Sequence, residues 1–317
     1  MHSWVYNDDV LKNGGADVPE NKRRKTKMKK IISLILTFAM MLALAVAFTS
    51  CNLFNKNSDP LVKVIDVKLT DEEYAFVCKK GNTELVSSFN AFLAEIKSNG
   101  TFDTLVNKYF KGEGEKVGYD VAMSDVQNTA ENFVVVTNCP FEPFEYIGDD
   151  GKIYGLDIEI AAAYAQSKNL NLVIKNIGFD DIFTQVEAGY ADIGMAGITV
   201  SEDRAAIYDF TNTYYQASQK IIVAADNTAF DACTTAAEVE AVLASLQGQK
   251  IGYQTGTTGS MYINGDEDWG YTGFANIEGK GYPTAQDALQ DLINGNIYAV
   301  VVDEAPGAAL AKAVNGN

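Results

Sequence analysis

The chain has 317 residues, with 42 acidic against 25 basic and a formal charge of −17 at pH 7. A surface this acidic repels nucleic acid and anionic lipid headgroups, which sets both aside as ligands. The single histidine is His2, so the globular part has none, which removes Ser-His and Cys-His nucleophilic catalysis and the usual histidine-containing zinc sites.

In chain order, the first feature is a targeting segment. Basic residues Lys22, Arg23, Arg24, Lys25, Lys27, Lys29 and Lys30 lead into an apolar run from Ile31 to Phe48, interrupted only by Ser33 and Thr37. Such a charged region, apolar region and small-residue boundary describe a secretory signal. An uncleaved anchor is the rival reading, since the run approaches the lower limit for crossing a bilayer. Phe48-Thr49-Ser50-Cys51 resembles a bacterial lipobox, and that resemblance implies a lipidated Cys51 as the mature N-terminus. Met28 reads as the true start, with residues 1–27 an over-extended gene start. Setting aside the 8 basic and 4 acidic residues of the first 50 leaves 17 against 38, a formal charge of −21. Beyond Cys51, the cysteines Cys78, Cys139 and Cys233 show no CxxC spacing, allow at most one disulfide and read as small thiols.

Residues 51–60 form a polar tether, and the remaining chain is long enough for two α/β lobes. Leu61–Val67 and Tyr74–Cys78 read as strands from their β-branched and aromatic content. A helix follows with Leu85, Val86, Phe89, Leu93 and Ile96 on one face, stopped by Asn99-Gly100. Thr101 is placed to cap a further short helix carrying Phe102, Leu105, Val106, Tyr109 and Phe110. Lys111–Asn132 has no sustained periodicity and reads as a linker. Beyond it, strands are expected at 133–137, 170–174, 192–196, 220–224, 250–253 and 298–302. Helices are expected at 157–166 (opened by an acidic cap), 180–188, 236–246, 284–294 and 306–314, with another starting at Ser260, and Ser201–Arg204 is read as a charged turn. This alternation predicts mostly parallel α/β sheets.

Four polar loops fall at strand ends, where open α/β sheets place their ligands. They are Thr137-Asn138-Cys139-Pro140-Phe141-Glu142-Pro143-Phe144-Glu145, then Ala196–Arg204, then Gln254-Thr255-Gly256-Thr257-Thr258-Gly259-Ser260, then Asp303-Glu304-Ala305-Pro306. Taken singly, each has an ordinary reading. Glu202-Asp203-Arg204 is a solvated charge run, Phe141 and Phe179 are core aromatics, and Thr257-Thr258-Gly259 is a turn and helix cap. Glu142 and Glu145 read as facing solvent. Asp303 is the exception, because an acid behind the apolar run Val300-Val301-Val302 needs a partner.

Together and in this order, the loops resemble those of the type II periplasmic binding proteins for polar amino acids. The resemblance covers residues 61–317, with one departure. The segment resembling Leu61–Phe110, with its KGNTEL and NGTFDTLVNKYF motifs, comes first here, whereas in that family it lies at the C-terminus. A circular permutation accounts for this, with Lys111–Asn132 joining the family's usual ends, and permutation is tolerated where breaks fall in exposed loops.

The resemblance implies a two-lobe type II periplasmic-binding-protein fold, α/β in class, with two hinge crossings near Lys68–Glu73 and Thr213–Ser218. Residues 61–70 and 216–317 form one lobe, and 71–215, including linker 111–132, the other. By the same resemblance Arg204 grips the ligand α-carboxylate, completed by Thr258 and Thr199. Asp303 takes the α-ammonium with help from Gly197 and Thr199. Phe141 and Phe179 sandwich the ligand side chain, and Asn138 and Gln254 reach its end, with Glu142 a weaker candidate. The implied function is that of a secreted monomer, held at the outer face of the cell membrane by its lipid alone. It binds a small polar amino acid and delivers it to an ABC permease complex, with no cofactor, metal or catalytic residue. Two rivals use the same fold, a sensory ligand-binding protein and a dehydratase with an acid in its cleft.

Overall fold

In the computed structural model, residues 59–123 and 126–316 are described. The signal segment and Cys51 lie outside them. Among the described residues no helix is long and apolar enough to cross a membrane.

Two five-stranded sheets organise the chain. The first runs in the order β1 (Val62–Val64), β11 (Gln219–Ala224), β14 (Ala299–Asp303), β12 (Lys250–Gln254), β13 (Glu278–Tyr282). The second is ordered β7 (Asn171–Asn176), β4 (Asn132–Thr137), β8 (Ile193–Gly194), β3 (Val77–Cys78), β9 (Asp209–Phe210). A two-stranded antiparallel ribbon of β2 (Glu72–Tyr74) and β10 (Tyr215–Ala217) lies between them in the chain path, pairing Tyr74 with Tyr215. A short hairpin, β5 (Tyr146–Ile147) with β6 (Ile153–Tyr154), completes the strands.

The sheets are mixed, not mostly parallel. β12 runs parallel to β13 and β14, and β4 parallel to β7 and β8, but β11 is antiparallel to β1 and β14, and β3 to β8 and β9. The reason lies in the connections. Strands linked through helices enter the sheet in one direction. Those arriving straight from the ribbon, β3 and β11, enter from the opposite end. As a result the start of β11 meets the end of β14, pairing Gln219 with Asp303. The carboxyl ends of β4, β8, β12 and β14 lead directly into the four polar loops.

β14, central in the first sheet, and β4, interior to the second, are buried on both faces, which explains their unbroken apolar runs. Val301 packs with Ile221, Val223 and Ile251 on one face of its sheet, and Val300 and Val302 pack with Ile222 and Leu289 on the other. Phe133 and Val135 face a cluster with Phe89, Leu93 and Tyr164, while Val134 and Val136 meet Ile182 and Val186. Each fully buried side chain of this size contributes about 1.5–3 kcal/mol.

The helices are α1 (Thr83–Ser98), α2 (Thr101–Val106), α3 (Leu156–Ser167), α4 (Phe179–Glu187), α5 (Glu202–Ile207), α6 (Ala236–Ser245), α7 (Thr258–Asn264), α8 (Ala285–Ile293) and α9 (Glu304–Asn315). Three local readings change. Thr101 lies inside α2, whose N-cap is Gly100 at φ 80° with no side-chain cap. Asp157 does not cap α3; Gly155 does, at φ 143°, where any Cβ would meet the Phe144 carbonyl oxygen at 1.8 Å. The Ser201–Arg204 turn is the opening of α5, with the Ser201 hydroxyl accepting from the Arg204 N–H at 3.2 Å. Residues 119–121 of the expected linker pair with β6 of the hairpin and β7 of the second sheet. Tyr119 bridges Ile153, and Val121 bridges Ile174. This pairing uses backbone groups, so it leaves no mark in side-chain periodicity.

Candidate functional site

The loops at the strand ends line a small cavity, with Asn138, Phe141, Glu145, Phe179, Ala196, Gly197, Thr199 and Arg204 from the second sheet's side and Gln254, Thr257, Thr258 and Asp303 from the first's. All nine ligand-site residues expected from the sequence line it. Glu142 does not. The turn joining Phe141 to Glu145, closed by bonds between their backbones, points both Phe141 and Phe144 inward and leaves Glu142 exposed, 3.9 Å from Lys116.

Arg204 sits in α5, positioned by the Ser201 cap. Its Nη1 donates to the Thr199 carbonyl at 2.8 Å and its Nη2 crosses to the Gly256 carbonyl at 2.9 Å. The guanidinium lies over the rings of Trp269, Phe183 and Phe179, with centroids at 4.9, 5.0 and 5.7 Å. Burial lowers its pKa to about 10, which still leaves it charged at neutral pH. Planar, with its orientation fixed by two carbonyls, it can present a fork to a carboxylate in a way a lysine cannot.

Asp303 ends β14 and is buried. Its Oδ1 accepts from the Tyr74 hydroxyl and from Gln219 Nε2. Burial, with nearby Glu72, pushes its carboxyl up to about 7. Glu72 is a hub that sequence reasoning missed. It accepts from Thr70 Oγ1, Thr199 Oγ1 and Gln219 Nε2, and so ties the ribbon to both sheets. It sits in the run Asp71-Glu72-Glu73, which reads as solvated, yet the strand alternates: Glu72 and Tyr74 are buried and Glu73 exposed. That alternation was the available signal.

Thr199 therefore gives its proton to Glu72 and accepts from the Thr258 hydroxyl at 3.3 Å. Gly197 is at φ 54°, and an added Cβ would lie 2.5 Å from the Phe141 ring, so glycine lets Phe141 pack against this turn. Asn138 and Gln254 hold each other across the cavity, Gln254 Nε2 donating to Asn138 Oδ1 at 2.7 Å, while Asn138 Nδ2 donates to the Ile177 carbonyl. Phe141 packs against Tyr74 and Phe144, and Phe179 opens α4.

Two buried acids were also missed. Asp157 accepts from the Tyr214 hydroxyl at 2.7 Å and from the Gly197 N–H at 3.2 Å, and burial raises its pKa to about 7. Glu145, read from the sequence as facing solvent, is fully buried because Phe144 and Tyr146 flank it in a tight turn. Burial, with Asp157 nearby, pushes its carboxyl well above the usual range. Cys78, Cys139 and Cys233 are free thiols.

The fold is a two-lobe α/β one with a polar cavity at the strand ends, lined by the Arg204 guanidinium and by the buried carboxyl groups of Asp303 and Glu145. The chain belongs to the bacterial extracellular solute-binding proteins, family 3, whose profile matches residues 12–112 and 133–310. It is 26% identical over 187 residues to the "Probable histidine-binding protein" of Neisseria gonorrhoeae, covering 58% of this chain and 63% of that one. It is also 26% identical over 178 residues to ABC transporter arginine-binding protein 1 of Escherichia coli K12, covering 56% and 65%. The chain thus spans less than two thirds of the length of these relatives. Among solved structures, an ancestral arginine-binding protein bound to arginine matches with a TM-score of 0.50 and 29% identity, over 59% of this chain and 76% of that one.

Proposed function

We propose that the cavity captures a free polar amino acid between the two lobes, and that the protein binds its ligand without transforming it and delivers it to an ABC importer. One observation carries this reading: Arg204 and Asp303, on separate lobes, line one cavity with opposite charges. A zwitterion pairs its α-carboxylate with Arg204 and its α-ammonium with Asp303, helped by Thr199, Thr258 and Gly197, with Phe141 and Phe179 against its side chain. Asn138 and Gln254 close the cavity beyond it. The bonds from Arg204 to Gly256 and from Gln254 to Asn138 join the lobes and are of the kind that a hinged closure forms. The names of the relatives, histidine- and arginine-binding proteins, support the same class of ligand.

The lobes are assigned as 61–70 with 216–317, and 71–215. The order of segments is read as a circular permutation. Asn315 supports it: its side chain accepts from the Leu61 and Val62 N–H groups and donates to the Val62 carbonyl, so α9 ends where β1 begins. A profile match in two blocks, either side of the stretch at 113–132, fits the same account. The protein is read as a monomer secreted behind its signal and held by a lipid on Cys51.

Calorimetry of residues 52–317 against the twenty amino acids, ornithine and cystine tests the reading. A polar amino acid is expected to bind, and Arg204→Ala to weaken it by about 100-fold or more. A folded protein that binds none of them, or an Arg204→Ala variant that binds as well as the parent, refutes it.

A further inference from the structure

The connection from α7 to β13 is long. Residues 265–277 fill it, where roughly two to six are usual in α/β units, and loops of this length are commonly functional. Its first part closes on itself. Asp266 and Tyr271 exchange backbone bonds at 2.8 and 2.9 Å, and Asp266 Oδ1 accepts from the N–H groups of Asp268 and Trp269 at 3.1 and 3.3 Å. The result is a short hairpin with Trp269 near its tip.

Trp269 reaches across to the other side of the cavity. Its ring lies 4.9 Å from the guanidinium carbon of Arg204, which α5 carries; the other two rings on that guanidinium, Phe179 and Phe183, come from Arg204's own side. Trp269 is half-buried and is not among the residues lining the cavity, so it meets the site through Arg204. A tryptophan face attracts a guanidinium, more strongly as water is excluded. Together with the bond from Arg204 to the Gly256 carbonyl, this makes Arg204 a point at which the first sheet's side holds the second's.

The same approach brings like charges together. Asp203 precedes Arg204 and stands beside Asp266 and Asp268 of the hairpin, with one carboxylate oxygen of each within 4.8 Å of the others. Desolvation, and then Asp268, Asp266 and Glu202, hold the Asp203 carboxyl above its usual range. Like charges this close repel, so Trp269 settles on Arg204 against a counterforce.

We propose that the 266–271 hairpin is a latch between the lobes: Trp269 clasps Arg204 once they have closed and sets how long a bound amino acid is held, while Asp203, Asp266 and Asp268 keep the latch releasable. This rests on the amino-acid-binding reading and the two lobes assigned above, and adds to them a positioning residue outside the cavity wall. Because Trp269 acts through Arg204, its effect falls on the rate of release and not on which amino acid is chosen.

The test uses the intact chain carrying Trp4→Phe, which leaves Trp269 as its only tryptophan. Arginine, histidine and glutamine are the probes. Saturation with one that binds is expected to shift the Trp269 emission and protect it from acrylamide. Release of the radiolabelled probe is then timed after dilution into excess unlabelled probe. Trp269→Ala should speed release about tenfold with association nearly unchanged, and Trp269→Phe, which keeps a ring, should fall between it and the parent. Asp268→Asn should slow release about twofold, a change of opposite sign that a damaged fold would not give. A parent that binds a probe with no change at Trp269, or a Trp269→Ala variant that releases it at the parental rate, overturns the latch and leaves the amino-acid reading intact. A folded parent that binds none of the twenty amino acids overturns both.

Discussion

Asp303, at the end of β14, and Glu145, in the loop after β4, line one cavity and are both buried, yet their surroundings are built on opposite terms. Around Asp303, Tyr74 and Gln219 supply donors, and Glu72 extends the network through Thr70 and Thr199 into the ribbon between the lobes. Around Glu145 there are rings, the Cys139 thiol and another acid, and among the described residues neither of its oxygens has a hydrogen-bond partner. Asp303 finds its donors within the protein itself; Glu145, among the described residues, finds none. A pre-satisfied group is a fixed anchor; an unsatisfied one is not.

The largest expected effect that sharpens this contrast is Asp303→Asn. It should weaken every amino acid alike, by about 100-fold, since it removes one partner of a desolvated charge pair. Calorimetry over the ligand set checks it. If Asp303→Asn spared some ligands, Asp303 would not be a common anchor.

A second effect is on stability against pH. The carboxyls of Asp303 and Asp157 are pushed up to about 7, and that of Glu145 well above its usual range, by burial in each case. The folded ligand-free protein therefore keeps protons that the unfolded chain gives up above about pH 4. The stability this confers is present below the unfolded pKa and is lost as pH rises through about 7. The melting temperature without ligand should fall by several degrees between pH 5 and pH 8, a loss on the order of a few kcal/mol. Asp303→Asn should flatten part of that slope, as should saturating ligand, whose ammonium favours the ionised carboxylate. A melting temperature that rises across this window would contradict the burial of these acids.

The smallest effect concerns chain order. Joining residue 315 to residue 61 through a short linker and opening the chain within 113–131 should leave ligand affinity unchanged within about threefold, because the breaks fall where Asn315 already meets Leu61 and outside the cavity. Loss of folding in the rejoined chain would argue against a permutation.

How much of this could be read beforehand followed from what kind of signal each part leaves. Strands buried on both faces announce themselves, so Phe133–Thr137 and Tyr298–Val302 were found to within a residue at each end. The Tyr146–Tyr154 hairpin, with strands of two residues, and the Glu278–Tyr282 edge strand, glycine or charge at all but its last residue, carried too little apolar pattern to see. Nine of the twelve residues that line the cavity were named through the resemblance of four loops in order, not from any one of them. Glu72 was missed because the run Asp71-Glu72-Glu73 reads as solvated, and Glu145 because a single acid in a polar loop does. Glu72 is turned inward by strand alternation, and Glu145 sits in a turn closed by backbone bonds to Phe141.

The central claim is that this cavity holds the two charged ends of one free amino acid, and it is tested most directly with the ends blocked one at a time. Whichever amino acid binds best should be titrated beside its methyl ester and its N-acetyl derivative. The account predicts that each derivative loses about 100-fold or more in affinity, because Arg204 or Asp303 is left desolvated without a partner. If either derivative binds as tightly as the free amino acid, the ligand is not held between these two charges and the account is wrong.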